Sequence, residues 1–412
     1  MAPPLPRIAY VTDLEGQWER FVGFVEANPD VRLEGETLVL ADGVVFVFGG
    51  DAVDRGPWSR RLVRVLLAAK ERYGERVVLL AGNRDVNKLR LVRELGGYVP
   101  DRVPTEHRGD RPTLLRWIFE HTMGAADAFA HRVAELRAEG EPHDDETVVE
   151  SFLRDLEPDG LHARYLSACQ LAYRHGSTLF LHGGLTEESL GYVPGTEPIP
   201  TVDAWVDALN AFYRTQLERF RGRSASDLAR PPWAEVVAYQ APFPGKRMNP
   251  KSVVYGRLAD ELNNSFLPSA GVVAALRAEG IGRLILGHTP SGDTPSLLRM
   301  DGFELVVADN SRGRVPTGSS VGLVDDALIV RGRAVLDSGE VVDVAAESKL
   351  DTPASDLGLR TRDTGSLVKG RAADGRFLLY RGLPGYVVEQ VAVEEDALRA
   401  RGLEPPHAPP ST

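Results

Sequence analysis

The chain has 412 residues, a formal net charge of −11 and a single cysteine. The acidic balance argues against binding to nucleic acid polymers, since contact with phosphate backbones requires a positive surface. One cysteine rules out an internal disulfide framework, and no apolar run approaches the ~20 residues that span a bilayer. We therefore expect a cytoplasmic protein without a membrane partner.

Strands and helices alternate over the first hundred residues. Apolar, largely β-branched runs at residues 8–11, 44–48 and 77–80 predict buried strands, and each is followed by apolar residues at helical spacing. This order is typical of a parallel or mixed sheet covered by helices. The carboxyl ends of such strands are where open α/β folds place their active sites.

The pattern changes further along the chain. Residues 97–175 predict a helical insertion, with one long helix over residues 111–140, and residues 186–255 predict a second helical insertion. We expect both insertions to form a cap over the strand ends. Short strands and turns predict a β-rich C-terminal extension over residues 316–400, and residues 401–412 predict a disordered tail.

Polar side chains follow five of the predicted strands. In chain order they are Asp13, Glu15, Asp51, Asn83, His182 and His288. Carboxylate, amide and imidazole groups bind metals, and Asp13 and Glu15 have the period-two spacing that brings side chains out on one side. Two divalent cations about 3.5 to 4 Å apart can clamp a phosphate and activate water. Such a pair needs one shared carboxylate, for which Asp51 on its glycine-flanked turn is the natural candidate.

These motifs resemble those of the calcineurin-like metallophosphoesterases, especially the phosphoprotein phosphatase branch. The resemblance rests on Asp13-Leu14-Glu15, Gly50-Asp51-Ala52-Val53-Asp54-Arg55-Gly56, Gly82-Asn83-Arg84-Asp85, His182 and Gly287-His288. It implies an α/β (α+β) fold, a two-sheet sandwich flanked by helices. The corresponding domain would cover residues 8–315 and include both insertions.

The resemblance also implies a dinuclear metal centre. The ligands of the first metal would be Asp13, Glu15 and Asp51. Those of the second metal would be Asp51, Asn83, His182 and His288. Arg55 would bind phosphoryl oxygens as a bidentate donor.

Two residues depart from the family pattern. Glu15 stands where the family has histidine, which makes the site harder and favours Mn²⁺, with Fe, Mg²⁺ or Zn²⁺ as alternatives. Arg84 stands where the family has the histidine that protonates the leaving group. Arginine stays charged at any working pH, so Arg84 cannot be that acid and is predicted instead to stabilise charge on the phosphoryl group. We further predict an ion pair between Asp54 and Arg84.

The resemblance and its departures predict a metal-dependent phosphoesterase that hydrolyses a phosphomonoester through a dinuclear metal-activated hydroxide. The large insertions favour a small phosphorylated metabolite or nucleotide, although the motif at residues 50–56 also suits a phosphoprotein. Arg257 follows an apolar run that predicts a strand, and we expect it to contact the anionic substrate. Two alternatives stay open: the same scaffold used for non-phosphatase chemistry, and a catalytically silent metal- or phosphate-binding protein.

Overall fold

The computed structural model describes residues 6–229, 234–243, 245, 248–315, 319–352 and 356–407. Its strands are β1 (Arg7–Val11), β2 (Val31–Glu34), β3 (Thr37–Leu40), β4 (Val44–Phe48), β5 (Val77–Leu80), β6 (Cys169–Gln170), β7 (Ala172–His175), β8 (Thr178–Leu181), β9 (Arg283–Pro290), β10 (Ser296–Met300), β11 (Phe303–Asp309), β12 (Ser320–Val324), β13 (Ala327–Val335), β14 (Val341–Ser348), β15 (Arg360–Thr361), β16 (Leu367–Ala372), β17 (Phe377–Gly382), β18 (Val388–Val393) and β19 (Leu403–Glu404).

The α-helices are α1 (Trp18–Ala27), α2 (Ser59–Tyr73), α3 (Asn83–Asn87), α4 (Arg90–Glu94), α5 (Arg111–Thr122), α6 (Ala128–Ala138), α7 (Asp145–Asp155), α8 (Leu161–Ala168), α9 (Val202–Arg221), α10 (Ala225–Leu228), α11 (Glu235–Tyr239), α12 (Ala270–Ala278) and α13 (Glu395–Ala400). Within the described ranges, no helix is both long and apolar enough to cross a bilayer.

Two sheets form the sandwich that the sequence predicts. The first has twelve strands in the described residues, with the main order β18-β17-β16-β14-β13-β12-β1-β4-β5-β6, and the second has the order β10-β11-β9-β8-β7. Strands β1, β4 and β5 are parallel neighbours, as are β8 and β9. Their carboxyl ends therefore lie at common edges of the two sheets, which brings distant polar residues together.

Alternate residues of β1 belong to two different apolar layers. Tyr10 packs against Phe180 of the second sheet, with ring centroids 5.7 Å apart. Ala9 belongs to the layer that contains Phe21 of α1 and Leu66 of α2. Because both faces of the strand are covered, its sequence reads as a continuous apolar run.

The prediction of one long helix over residues 111–140 is wrong. The chain forms two helices there, α5 and α6, which are separated by residues 123–127. Gly124 adopts a positive φ of 58°, a conformation that ends a right-handed helix. The break lets the segment fold back over the strand ends.

The C-terminal extension is continuous with the first sheet, since β12 pairs with β1. The segment after residue 400, which the sequence predicts as a disordered tail, differs from that expectation. Strand β19 pairs with β15, and the amide of Leu267 donates to the carbonyl of Pro406. These backbone hydrogen bonds order the segment as far as the described residues reach, and residues 408–412 lie outside them.

Candidate metal centre

The six predicted ligands lie together at the carboxyl ends of the strands, with Asn83 at the start of α3 and His288 within β9. Asp13, Glu15, Asp51, His182 and His288 are buried, and Asn83 is half-buried. One group of potential ligand atoms within 4.8 Å of one another comes from Asp13, Glu15 and Asp51. A second such group comes from Asp51, His182 and His288. Asp51 belongs to both, as a shared ligand would.

The backbone at this site is held in an unusual conformation. Asp13, Glu15, Asp51, Asp54 and His288 all have positive φ values, between 48° and 107°. Residues other than glycine rarely adopt this conformation, and it costs on the order of 1–3 kcal/mol for each. Such strain persists only where the surrounding structure enforces it, and it clusters at functional sites.

Two further features fix the loops. Gly82 and Gly287 leave no room for a side chain, because a Cβ there would collide with Oδ1 of Asp51 or Oδ2 of Asp13, respectively. The carboxylate of Asp85 accepts hydrogen bonds from the amides of Asp51, Ala52 and Gly82 at 2.8–2.9 Å. Asp85 therefore ties the end of β4 to the end of β5 and caps α3.

The tautomer of His182 follows from its neighbours. Its Nδ1 lies 2.8 Å from the carbonyl oxygen of Gly49, which can only accept a hydrogen bond. Nδ1 is therefore protonated, and burial lowers the pKa of His182, which favours a neutral ring with a lone pair on Nε2. That nitrogen faces Oδ1 of Asn83 at 3.2 Å and Oδ1 of Asp51 at 3.4 Å. Three lone-pair atoms that face one another suit a cation, and the backbone contact is typical of metal-binding histidines.

His288 has a buried ring nitrogen without a partner. Its Nε2 makes no hydrogen bond to the part of the chain that the structure describes. Burial, followed by the nearby charge of Arg257, lowers the pKa of His288 well below its ordinary value, so the ring is neutral. An unsatisfied buried nitrogen costs about 1–3 kcal/mol, which a bound metal would offset.

Negative charge is in excess at the centre. Burial and then the neighbouring carboxylates of Asp309 and Asp51 raise the pKa of Asp13 well above its ordinary value. Burial also raises the pKa of Asp51 to about 8, although Arg84 partly opposes the shift. Divalent cations would relieve this crowding, and the mixed oxygen and nitrogen donors are suitable ligands. The residues present therefore fit a metal centre.

Asp309 is a site residue that the sequence analysis misses. It is buried at the end of β11, lines the same cavity as Asp13, and accepts a hydrogen bond from the amide of Ser311 at 2.9 Å. The apolar run of residues 305–308 before it is the same signal that marks the other strand ends. The pattern could have identified Asp309.

The ion pair predicted between Asp54 and Arg84 is not the main contact of either residue. Nη1 of Arg84 lies 3.8 Å from Asp54, whereas Nε of Arg84 lies only 2.5 Å from Oε1 of Glu15. The second oxygen of Glu15 lies 3.3 Å from Nη1 of Arg55. The two residues that depart from the family pattern therefore pair with each other, because a buried carboxylate lies closer to Arg84 than Asp54 does.

Lys88 takes the place expected for Arg84 beside Asp54. This buried lysine lies 2.5 Å from Oδ2 of Asp54 and donates to the carbonyl of Arg84 at 3.0 Å. Nη1 of Arg84 also donates to the carbonyl of Met123, in the first insertion, at 3.1 Å. Arg84 is therefore held from both the strand ends and the cap. Lys88 lies outside the motifs that predict the site.

A cavity of about 1050 Å³ opens from the metal centre. Arg55, Arg84 and Arg257 all line it. Arg257 follows a turn rather than the predicted strand, and its Nη1 donates to Asn263 at 3.1 Å. Helical segments of both insertions contribute to the cavity wall, as the predicted cap requires.

A sequence model of the calcineurin-like phosphoesterase family matches residues 6–292. The chain belongs to this family. Its members use divalent metal ions, and the matched region contains all six predicted ligands together with the arginines at the centre. Strands β10 to β19 lie beyond the match.

The chain also resembles solved phosphatase structures. A cold-active protein-tyrosine phosphatase from a psychrophilic Shewanella is 14% identical with a TM-score of 0.48, and the alignment covers 82% of this chain and 80% of that one. A protein serine/threonine phosphatase from Saccharomyces cerevisiae is 13% identical with a TM-score of 0.38 and coverages of 86% and 83%. A metallophosphoesterase from Sphaerobacter thermophilus is 11% identical with a TM-score of 0.31 and coverages of 84% and 88%. No curated protein sequence matches the chain. These distant likenesses do not assign a substrate.

Proposed function

We propose that the protein is a metal-dependent phosphomonoesterase that acts on a small phosphorylated metabolite or nucleotide. The observation that carries the proposal is the pair of neutral, buried imidazoles of His182 and His288 beside Asp51, within a cluster richer in carboxylates than in cations. Such a donor set is suited to divalent metals, and the adjacent arginines are suited to phosphate.

Two groups of residues would hold the metals. One group is Asp13, Glu15 and Asp51; the other is Asp51, Asn83, His182 and His288. Bound divalent cations would polarise the phosphoryl group and lower the pKa of a coordinated water. Four of the six side chains offer oxygen, so Mn²⁺ is favoured over Zn²⁺.

Arg55 and Arg84 would bind the non-bridging phosphoryl oxygens. Nε and Nη1 of Arg84 are engaged by Glu15 and Met123, while its Nη2 has no hydrogen-bond partner among the described residues. Nη2 is therefore the donor available to a phosphoryl oxygen. Arg55 lines the cavity, is about a quarter exposed and uses Nη1 for Glu15, while its Nε and Nη2 make no hydrogen bond to the described residues. Charge-assisted hydrogen bonds of this type are the strong ones.

The leaving group would take its proton from water, since the guanidinium of Arg84 cannot release one. Loss of general acid catalysis typically lowers rates by roughly 10²- to 10⁴-fold. Substrates with good leaving groups, such as aryl phosphates and phosphoanhydrides, need this proton least. We expect p-nitrophenyl phosphate to be hydrolysed much faster than an alkyl phosphate.

The test is hydrolysis of p-nitrophenyl phosphate by Mn²⁺-loaded protein. Asp51→Asn should abolish turnover and reduce the metal content measured by elemental analysis. Asp207→Asn, at an exposed position on α9, is the matched control and should leave both unchanged. Folding of each variant is checked by circular dichroism.

One observation favours a second candidate, a metal- and phosphate-binding protein without turnover. Arg84 forms an ion pair with Oε1 of Glu15, an oxygen that the first metal would need as a ligand. Arg84 also stands where the family has the histidine that acts as the general acid. This alternative predicts that calorimetry detects Mn²⁺ and inorganic phosphate binding while no phosphate ester is hydrolysed. Turnover that Asp51→Asn abolishes would refute it.

A further inference from the structure

The cavity extends from the metal centre to a second group of cationic side chains. This group, the arginine cluster, consists of Arg90 and Arg93 on α4 and Arg102 in the loop that follows. All three line the cavity, together with the ring of Trp117 on α5. None of them belongs to the motifs shared with the family.

Arg90 is held rigidly in this cluster. Its guanidinium makes two hydrogen bonds to the buried carboxylate of Glu94, at 2.9 and 3.2 Å, and a third to Thr122 at 2.9 Å. Its side chain is only 13% exposed. A solvated rim arginine would not be fixed in this way, so Arg90 provides a pre-oriented donor at low entropic cost.

The cluster has more positive than negative charge. Arg102 forms no hydrogen bond or ion pair with the described residues, and Arg93 uses Nε for the carbonyl of Leu228 at 2.7 Å. Arg102 is exposed to solvent where it lines the cavity. Glu94 and Glu120 line the cavity beside the three arginines, which leaves the cluster an excess of one positive charge. This concentration of positive charge occurs in a chain whose net charge is −11.

We propose that the arginine cluster binds a second anionic group of the substrate, so that the substrate class is a phosphomonoester whose leaving group carries another phosphate. The proposal rests on the proposed phosphatase activity for the role of the first phosphate. That first phosphate would be bound by the metals, Arg55 and Arg84. The same cavity is lined by the arginine cluster. Trp117 also lines the cavity and offers an aromatic surface to an apolar part of the substrate.

The test uses non-hydrolysable ligands with one or two anionic ends. Alkyl phosphonates and α,ω-alkane bisphosphonates with two to eight carbons are titrated into Mn²⁺-loaded protein by calorimetry. At the best chain length, the bisphosphonate should bind at least about tenfold more tightly than the matched monophosphonate, as expected for a charge-assisted contact. Arg102→Gln should reduce that preference about tenfold, and Arg214→Gln, at an exposed position on α9, should not.

Hydrolysis of p-nitrophenyl phosphate by the same samples separates this proposal from the proposed function. Turnover without a preference for any bisphosphonate would overturn the second anion site alone. A preference that Arg102→Gln leaves unchanged would overturn it as well. A preference that depends on Arg102, without turnover of any phosphate ester, would support the site and refute the phosphatase.

Discussion

Two buried clusters of charge in this molecule differ in how well they are balanced. Far from the metal centre, Glu304 lies 2.7 Å from Arg283 and 3.4 Å from Arg299, and the hydroxyl of Ser348 donates to it. At the metal centre, Asp13, Asp51 and Asp309 crowd around Glu15 with Arg84 and Arg55 as the nearby cations. In the first cluster both arginines contact the one carboxylate, so its negative charge is balanced without a ligand. The second becomes complete only with added positive charge, which is how a structural ion network differs from a functional one.

We expect the largest loss of stability when the balanced cluster around Glu304 is disrupted. Glu304→Gln should lower the free energy of unfolding by about 3–5 kcal/mol, because it leaves buried arginines without their carboxylate. Urea denaturation measures the change. Asp343→Asn, which removes an exposed ion pair with Arg333, is the control and should cost less than about 1 kcal/mol. Equal losses in the two variants would contradict the assignment of a structural role to Glu304.

Metal bound at the unbalanced cluster, the metal centre, should stabilise the folded protein. Mn²⁺ at 100 times its dissociation constant should raise the free energy of unfolding by about 2.7 kcal/mol, through binding to the native state alone. The measurement is the melting temperature with Mn²⁺ and with a chelator. In Asp51→Asn the difference between the two conditions should shrink, and a difference that persists in full would mean that the metal binds elsewhere.

Glu15 and Arg84 should behave as one energetic unit. In a double-mutant cycle with Glu15→Gln and Arg84→Met, we expect a coupling of about 2 kcal/mol in stability, because each single change leaves a buried charge without its nearest partner. Additive effects would contradict the pairing.

Residues 15 and 84 can also test whether the lack of a general acid limits catalysis. Replacing both residues by histidine should raise the rate on alkyl phosphates by about 10²-fold or more, since a histidine at position 84 can protonate the leaving group. Rates on p-nitrophenyl phosphate serve as the control, because a good leaving group gains little. Unchanged or lower rates on alkyl phosphates would refute the argument that Arg84 limits catalysis.

The smallest expected effect is a gain in the free energy of unfolding, whereas Glu304→Gln should cause a loss. Without metal, Asp51→Asn should be more stable than the unmodified protein by on the order of 1 kcal/mol, because it removes one of several crowded carboxylates. Urea denaturation in the presence of a chelator measures this. A loss as large as that of Glu304→Gln would mean that the two clusters do not differ in balance.

The sequence predicted which residues would meet, because strand ends in a parallel sheet must lie at one edge. Asp13, Asp51 and His288 are far apart along the chain, yet each comes shortly after an apolar run, and the structure brings them together. Their roles as metal ligands remain predictions. The sandwich and the β-rich extension followed from similar local patterns and are confirmed.

The sequence could not predict how the charges pair. Arg84 has Glu15, Asp51 and Asp54 all within 4 Å, and differences of about an ångström between the side chains decide which one it contacts most closely. No spacing in the sequence carries that information. The break at Gly124 was missed for a different reason: a single glycine is compatible with a continuous helix unless the tertiary fold requires a turn there.

Strand β1 leads into Asp13 and lies between β4 and β12. The extension therefore supplies the hydrogen-bonding neighbour on one side of the strand that leads into the metal centre. A shortened chain that stops at residue 315 would expose the backbone of β1 along that side, and unprotected edges of this kind invite aggregation. We therefore expect the portion that matches the family to aggregate when it is expressed without the strands beyond the match.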